Sequence, residues 1–214
     1  MQHLACCIGI SQYSGVKKMA FSKGKRIEDE TSTRIVDLAV NIGCKEGPDA
    51  LTVTRICKEL NCDRRVIYNR FRDIDEINLL VADKCNTELI AKAKAVMKEE
   101  ADFFDNFIAV IQAVFTAIYE RNAFFQYYTS LYQVTEEGVR NKILQALNGL
   151  VEEGKASGAV SAETDSGKVA ENIWFIITGI SSMLATNVNY KYQDGLTTML
   201  YGVKAICHEM QACK

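Results

Sequence analysis

Thr52, Thr54, Arg64, Arg65, Tyr68, Asn69 and Arg70 crowd into one short stretch of the chain, and a pair of basic residues, Lys25 and Arg26, lies ahead of them. These side-chain types suit contact with a nucleic acid. A guanidinium forks onto guanine, an asparagine amide pairs with adenine, and threonine and tyrosine hydroxyls reach phosphate oxygens. On a helix Arg64 and Tyr68 are four apart, as are Arg65 and Asn69, so the four share one face while Val66, Ile67 and Phe71 point away from it. Taken alone, Arg64, Arg65 and Arg70 read equally well as a solvated charged face. Their setting decides the matter.

That setting is helix, tight turn, helix over residues 52–71. Thr52 is a good N-cap for a short helix whose apolar face is Val53, Ile56, Cys57 and Leu60. Asn61 tolerates the left-handed conformation that an abrupt helix stop needs, and Asp63 can cap the next helix, expected to end near Phe71. A first helix is expected over residues 28–44, with Ile35, Leu38, Ala39 and Ile42 on one face. Gly47-Pro48-Asp49 stops it. In a helix-turn-helix the first short helix crosses the DNA backbone and the second offers its outer face to the major groove.

Charge is distributed to match. The chain of 214 residues has a net charge of −2, but residues 17–72 carry +5 and residues 73–214 carry −7. A basic front on an acidic body directs the front alone toward a polyanion. Met19 begins a basic arm running to Arg26, and residues 1–18 read as an extension of it or as a tail.

Beyond residue 73 the expected elements are again helices. Asp73 and Glu76 form a capping-box-like start for a long fourth helix. A fifth spans about residues 102–119 with Phe103, Phe104, Phe107, Ile111, Val114, Phe115 and Ile118. Residues 121–134 give a shorter one with Phe124, Phe125, Tyr127, Tyr128 and Tyr132. Thr135 with Glu136 and Glu137 is expected to start another, ending near Gly154 to Gly158. Asp165 caps the next, over about residues 166–187, and the last covers about residues 194–210. The chain contains one proline, Pro48, and long proline-free stretches suit helices. The fold class expected is therefore all-α with about nine helices and almost no sheet. Its parts are an N-terminal extension or arm (residues 1–25), a three-helix helix-turn-helix domain (26–73) and a C-terminal helical domain (74–214).

The aromatic-rich fifth and sixth helices offer apolar walls for a small-molecule pocket, with Phe107, Phe115, Tyr119, Phe124, Tyr127, Tyr128 and Trp174 as candidate lining. Aromatics at helical spacing serve equally as core. Ile177, Ile180 and Leu184, with Leu196, Leu200 and Val203, are candidates for a subunit interface or for packing within one subunit, and Gly179 and Ser181 would let helices approach closely.

The eight cysteines include no C-x-x-C pair, and His3 and His208 are far apart, so no metal site is expected. Cys57 and Cys62 sit at apolar-face positions as small hydrophobes, and all eight read as reduced thiols of a cytoplasmic protein without an export signal. The apolar stretch of residues 173–188 reads as too short and too polar to span a bilayer. No H-E-x-x-H, G-x-S-x-G, P-loop or dinucleotide-binding glycine pattern occurs. Neither an enzyme nor a cofactor is expected.

From Arg34-Ile-Val-Asp-Leu-Ala through Gly47, Leu51-Thr52-Val53 and Ile56 to Tyr68-Asn69-Arg70-Phe71 and Asp75-Glu76-Ile77, the sequence resembles the TetR/AcrR family of transcriptional regulators. A weaker echo lies at residues 152–160, which look like the family's glycine-rich bend. The resemblance implies a homodimer joined through the last two helices. It also implies a C-terminal cavity for a small-molecule effector, and double-stranded operator DNA as partner. Phosphate contacts would fall on Thr52 and Tyr68, with Arg64, Arg65 and Asn69 free to contact bases or backbone. The implied activity is a repressor released from a palindromic operator by its ligand. Four positions depart from the family pattern: Asp63, Arg65, Arg70 and Ile74, the last removing an expected lysine–phosphate contact for which Arg70 or Arg72 is the candidate substitute. Asp63 and Ile74 also suit an alternative, a helical interaction protein that has kept the fold and lost specific DNA binding.

Overall fold

A computed structural model describes residues 27–121, 123–131, 133–135 and 138–211. Lys25, Arg26, Tyr132 and the basic arm lie outside them. The first helix, α1 (Glu30–Glu46), starts where Asp29 accepts a hydrogen bond from the Ser32 backbone and Ser32 bonds back to Asp29. It stops at Gly47, whose φ of +96° suits glycine. A single 3-10 turn, Pro48–Ala50, leads into α2 (Val53–Leu60), capped as expected by Thr52, whose Oγ1 accepts from the Arg55 backbone at 3.1 Å. Asn61 is left-handed (φ 48°), and the next N–H, that of Cys62, bonds the Cys57 carbonyl at 3.0 Å. This closes α2 and turns the chain into α3 (Arg64–Tyr68). Asp63 stands at the cap position of α3 without making a side-chain cap bond, and the regular helix ends earlier than expected.

Next come α4 (Ile74–Ala95), capped by Asp73, and α5 (Phe103–Tyr119), capped by Asp102. After α6 (Ala123–Thr129) the chain departs from expectation. Two short strands, β1 (Gln133–Thr135) and β2 (Gly138–Arg140), pair antiparallel where a helix start was expected at Thr135. The true cap is Asn141. Its Oδ1 accepts from the Ile143 and Leu144 backbone, and its amide donates to the Thr129 and Leu131 carbonyls. One buried side chain thus ends α6 and begins α7 (Lys142–Ala156). The bend after α7 follows from Gly154, whose carbonyl takes two N–H bonds from Ala159 and Val160 while Phe103 and Val160 crowd its Cα.

The chain finishes with α8 (Ser166–Thr186), capped by Asp165, and α9 (Tyr192–Met210). Helix α8 has 21 residues and a mean hydropathy of 1.3 in its most apolar window, so it is long and apolar enough to cross a membrane, contrary to the expectation from residues 173–188. Here it packs against α7 and α9 as a helix of the body.

One continuous apolar core runs from Ile35, Ile56 and Ile67 through Ile77, Val81 and Leu89 to Phe107, Phe115, Trp174 and Met199. Helix α4 lies across its middle, packed against α1 and also against α5, α6 and α7. Buried Ile, Leu and Phe side chains contribute about 1.5–3 kcal/mol each, so rigid docking of α4 on α1 follows from composition at these positions.

Candidate nucleic-acid interface

The surface across α2 and α3 is built by the turn at Asn61. With Ile56, Ile67 and Phe71 in the core, the opposite side presents Thr52, Thr54, Arg64, Arg65, Tyr68 and Asn69 to solvent. Tyr68 is 54% exposed, unusual for an aromatic whose helix neighbour is fully buried. Arg64 donates to Thr54 Oγ1 at 2.9 Å, so α2 and α3 are joined on the exposed side by two of the proposed contacts. This bond sets the guanidinium in place while leaving other N–H groups to point outward. Thr52 uses its oxygen as a cap acceptor, and its O–H can still donate.

Arg70 does something else. Its Nε and terminal nitrogen donate to the two Asp29 oxygens, a third N–H donates to the Val66 carbonyl at 3.0 Å, and its side chain is only 12% exposed. The structure therefore makes Arg70 a clamp between the start of α1 and the end of α3, not a member of the outer face. The Arg70 guanidinium holds the Asp29 carboxyl well below the usual carboxylate range, with the Ser32 N–H adding to the effect. Arg72, the other expected substitute for the missing lysine, lies 2.6 Å from Asp73. Arg55 is likewise turned inward on the chain, paired with Glu59 at 2.9 Å and Glu46 at 3.3 Å.

Of the expected pocket residues, Phe107, Phe115, Tyr128 and Trp174 are buried in the packed core, whereas Tyr119, Phe124 and Tyr127 are partly exposed. Phe124 covers Gly47, and the Tyr128 ring lies against Gly43 with its O–H donating to Asn78 at 2.9 Å. Helix α6 is thereby locked to α1 and α4 through two glycines, a role that side-chain periodicity alone does not show. A cleft of about 110 Å³ among the described residues lies at this junction, lined by Val40, Asn41, Cys44, Cys85, Arg121 and Phe125 among others. Asn86 Oδ1 and Ser181 Oγ are buried without a hydrogen-bond partner among the described residues. No group of His, Cys, Asp and Glu suited to a metal ion occurs among the described residues.

The expected interface residues also divide. Ile177, Leu196 and Val203 are buried within the single chain and have almost no surface left for a second copy, while Ile180, Leu184 and Leu200 are half-buried. The outer faces of α8 and α9 instead show Phe175 (58% exposed), Met183 and Tyr201 (80% exposed). Gly179 is on this outer side with nothing near its Cα, and the close approach of α8 to α9 is made by Gly195 against Ile180 and Leu184. Because α8 is apolar almost all round, spacing could not say which side faces in.

No family model and no curated protein matches the sequence. Solved structures do match in fold. A protein assigned to the TetR family of transcription regulators from Shewanella sp. PV-4 superposes with a TM-score of 0.64 at 15% identity, covering 86% of this chain and 100% of its own. The fatty acid degradation regulator FadR from Bacillus halodurans gives 0.61 at 19% identity over 85% and 96% of the two chains. A TetR-family transcriptional regulator from Pectobacterium atrosepticum gives 0.55 at 16% identity over 83% and 90%. At these identities the likeness is one of architecture, and the architecture is that of the TetR-family transcriptional regulators.

Proposed function

We propose that this protein is a TetR-type transcriptional regulator, not an enzyme, that binds palindromic operator DNA in the cytoplasm as a homodimer and is released by a small-molecule effector. The observation that carries the reading is the outward face of α2 and α3. A left-handed Asn61 sets the two helices at a turn, the core takes Ile56, Ile67 and Phe71, and the opposite side carries Thr52, Thr54, Arg64, Arg65, Tyr68 and Asn69. In this reading Thr52 and Tyr68 hold phosphates while Arg64, Arg65 and Asn69 reach base edges or backbone. The basic front of the chain, Lys25 and Arg26 included, adds sequence-independent attraction.

Effector response rests on α4 and α6. Both touch α1 and each other, and on α4 the Asn86 side-chain oxygen is buried without a hydrogen-bond partner among the described residues. A ligand that donates to that oxygen would prefer one placement of α4, and such a preference is what shifts a two-state head. Asp63, a carboxylate at the start of α3, and Ile74 favour the alternative of an interaction protein without specific DNA binding.

The two readings part in one experiment: binding of the purified protein to DNA from its own upstream region across a salt series. A regulator gives a discrete complex that resists competitor DNA and weakens roughly a thousandfold between about 50 and 200 mM salt if about six phosphates are held. A protein that shows no specific complex on this or any genomic fragment, with or without cell metabolites, is not an operator-binding regulator.

A further inference from the structure

We propose that Cys44 and Cys85 form a redox-responsive dithiol, in which a peroxide oxidises the pair to a disulfide that ties α1 to α4. Their sulfurs are 3.4 Å apart, from residues 41 positions apart in sequence. A disulfide needs about 2.05 Å between sulfurs, a closure within reach of side-chain rotation. The pair is also open to a small oxidant on one side. Both residues line the cleft between α1, α4 and α6, where Cys44 is half-buried and Cys85 is 2% exposed at the base. The α1–α4 contact that brings them together is fastened separately by the ion pair of Lys84 with Asp37.

The surroundings give the two thiols different tasks. The hydrogen bond with Cys85 draws the Cys44 thiol below its ordinary value, and Arg121 works in the same direction against burial and Glu88. The same bond, with burial, pushes the Cys85 thiol far up. Cys44, the more accessible thiol of the cleft, is the nucleophile and the buried Cys85 the resolving partner, and the lowered Cys44 value agrees, since the thiolate is the reactive form. In the first step Cys44 sulfur attacks one peroxide oxygen, the O–O bond breaks, and one water (or an alcohol from an organic hydroperoxide) leaves, giving a sulfenic acid. In the second, Cys85 sulfur attacks Cys44 sulfur, the S–O bond breaks, and a second water carries off the remaining thiol proton. The pair loses two electrons, and the peroxide gains them.

The link would hold α1, which belongs to the DNA-facing unit, against α4. Its effect on operator binding rests on the proposed function; the oxidation itself does not. Cys57 and Cys62 are the nearest rival, being neighbouring thiols in hydrogen-bond contact beside the turn.

The test uses the full-length reduced protein treated with one equivalent of hydrogen peroxide, then alkylated and mapped by mass spectrometry without reduction. The expected product is a Cys44 peptide joined to a Cys85 peptide, two hydrogens lighter than their sum and released by dithiothreitol. In Cys85→Ala the link disappears and Cys44 is trapped as a sulfenic acid by dimedone. Cys44→Ser leaves Cys85 unoxidised under the same exposure. Oxidation that links Cys57 to Cys62 first, or that carries Cys44 to sulfinic acid in the wild type without joining Cys85, overturns the proposal. If the disulfide forms fully and operator affinity is unchanged, its regulatory part is overturned while the chemistry stands.

Discussion

Arg65 and Arg70 lie five positions apart, both basic, yet their surroundings assign them opposite work. Arg65 is exposed on the outer side of α3, whereas Arg70 is folded back onto Asp29 and the Val66 carbonyl. Arg65→Ala should therefore weaken operator binding by about 1–3 kcal/mol if the side chain reads a base, with the melting temperature unchanged; gel-shift titration and thermal denaturation separate the two effects. Arg70→Ala should do the reverse, lowering the melting temperature because it releases α1 from α3. Acid sensitivity gives that clamp a signature. The folded-state pKa of Asp29 is depressed, so its contribution to stability is complete above the unfolded carboxylate value and is lost as pH falls below the ordinary carboxylate range. The difference in melting temperature between wild type and Arg70→Ala should shrink as pH is lowered through that range; a constant difference would show that the pair contributes nothing through charge. The outer face of α3 was legible from four-residue spacing, because helical geometry alone places Arg64 with Tyr68 and Arg65 with Asn69. The clamp was not, since Asp29 and Arg70 are 41 positions apart and no local pattern encodes that meeting.

Helix α6 shows how a short element can act through what it presses against. Its Tyr128 ring lies where a Cβ on Gly43 would sit within 2.5 Å of the hydroxyl oxygen, and Phe124 stands over Gly47 in the same way. Small residues at the end of α1 therefore set the distance between α1 and α6, and the Tyr128 O–H then reaches Asn78 on α4. Gly43→Ala should push the ring away and cost about 1–3 kcal/mol of stability through overpacking. Tyr128→Phe keeps the ring and removes only the hydroxyl, costing about 1 kcal/mol. If α6 conveys the effector's presence to the head, both changes should also alter the effector concentration needed for release from DNA. A pair of variants that lose stability but keep the wild-type release curve would confine the contact to packing. Gly47 was visible in the chain as helix punctuation, but its partner Phe124 was not, and Gly43 carried no such signal inside α1. The pairing of β1 with β2 was not visible either, because Thr-Glu-Glu is also a good helix start; Asn141, which bonds four backbone groups across the α6–α7 junction, decides where α7 begins.

A single chain folded this way exposes apolar side chains to water on the outer sides of α8 and α9, where Phe175, Met183 and Tyr201 stand exposed with Gly179. Both helices already bury their other faces, α8 through Ile173, Trp174 and Ile177, and α9 through Met199, Val203 and Cys207. The all-helical architecture was readable from caps and periodicity, but apolar spacing along α8 and α9 does not separate the core from a docking face, which is why Ile177 and Val203 were read as candidates for either. A second copy laid antiparallel on this face would form an isologous four-helix contact, and a stable one needs about 1,200–2,000 Å² of buried surface. Large exposed aromatics at its centre are where binding energy concentrates. A charge at those centres should break it: Phe175→Glu with Tyr201→Glu is expected to run as a monomer in light scattering while keeping its helical circular dichroism, since neither side chain contributes to the core. Operator binding follows from the same geometry. Under the proposed function a palindrome would be held tightly because the second head binds as an intramolecular event once the first has landed, so the monomer should still bind a half-site weakly yet lose most of its affinity for the full operator. A variant that stays dimeric would place the interface on another surface, and one that turns monomeric with full operator affinity would show that each head binds independently.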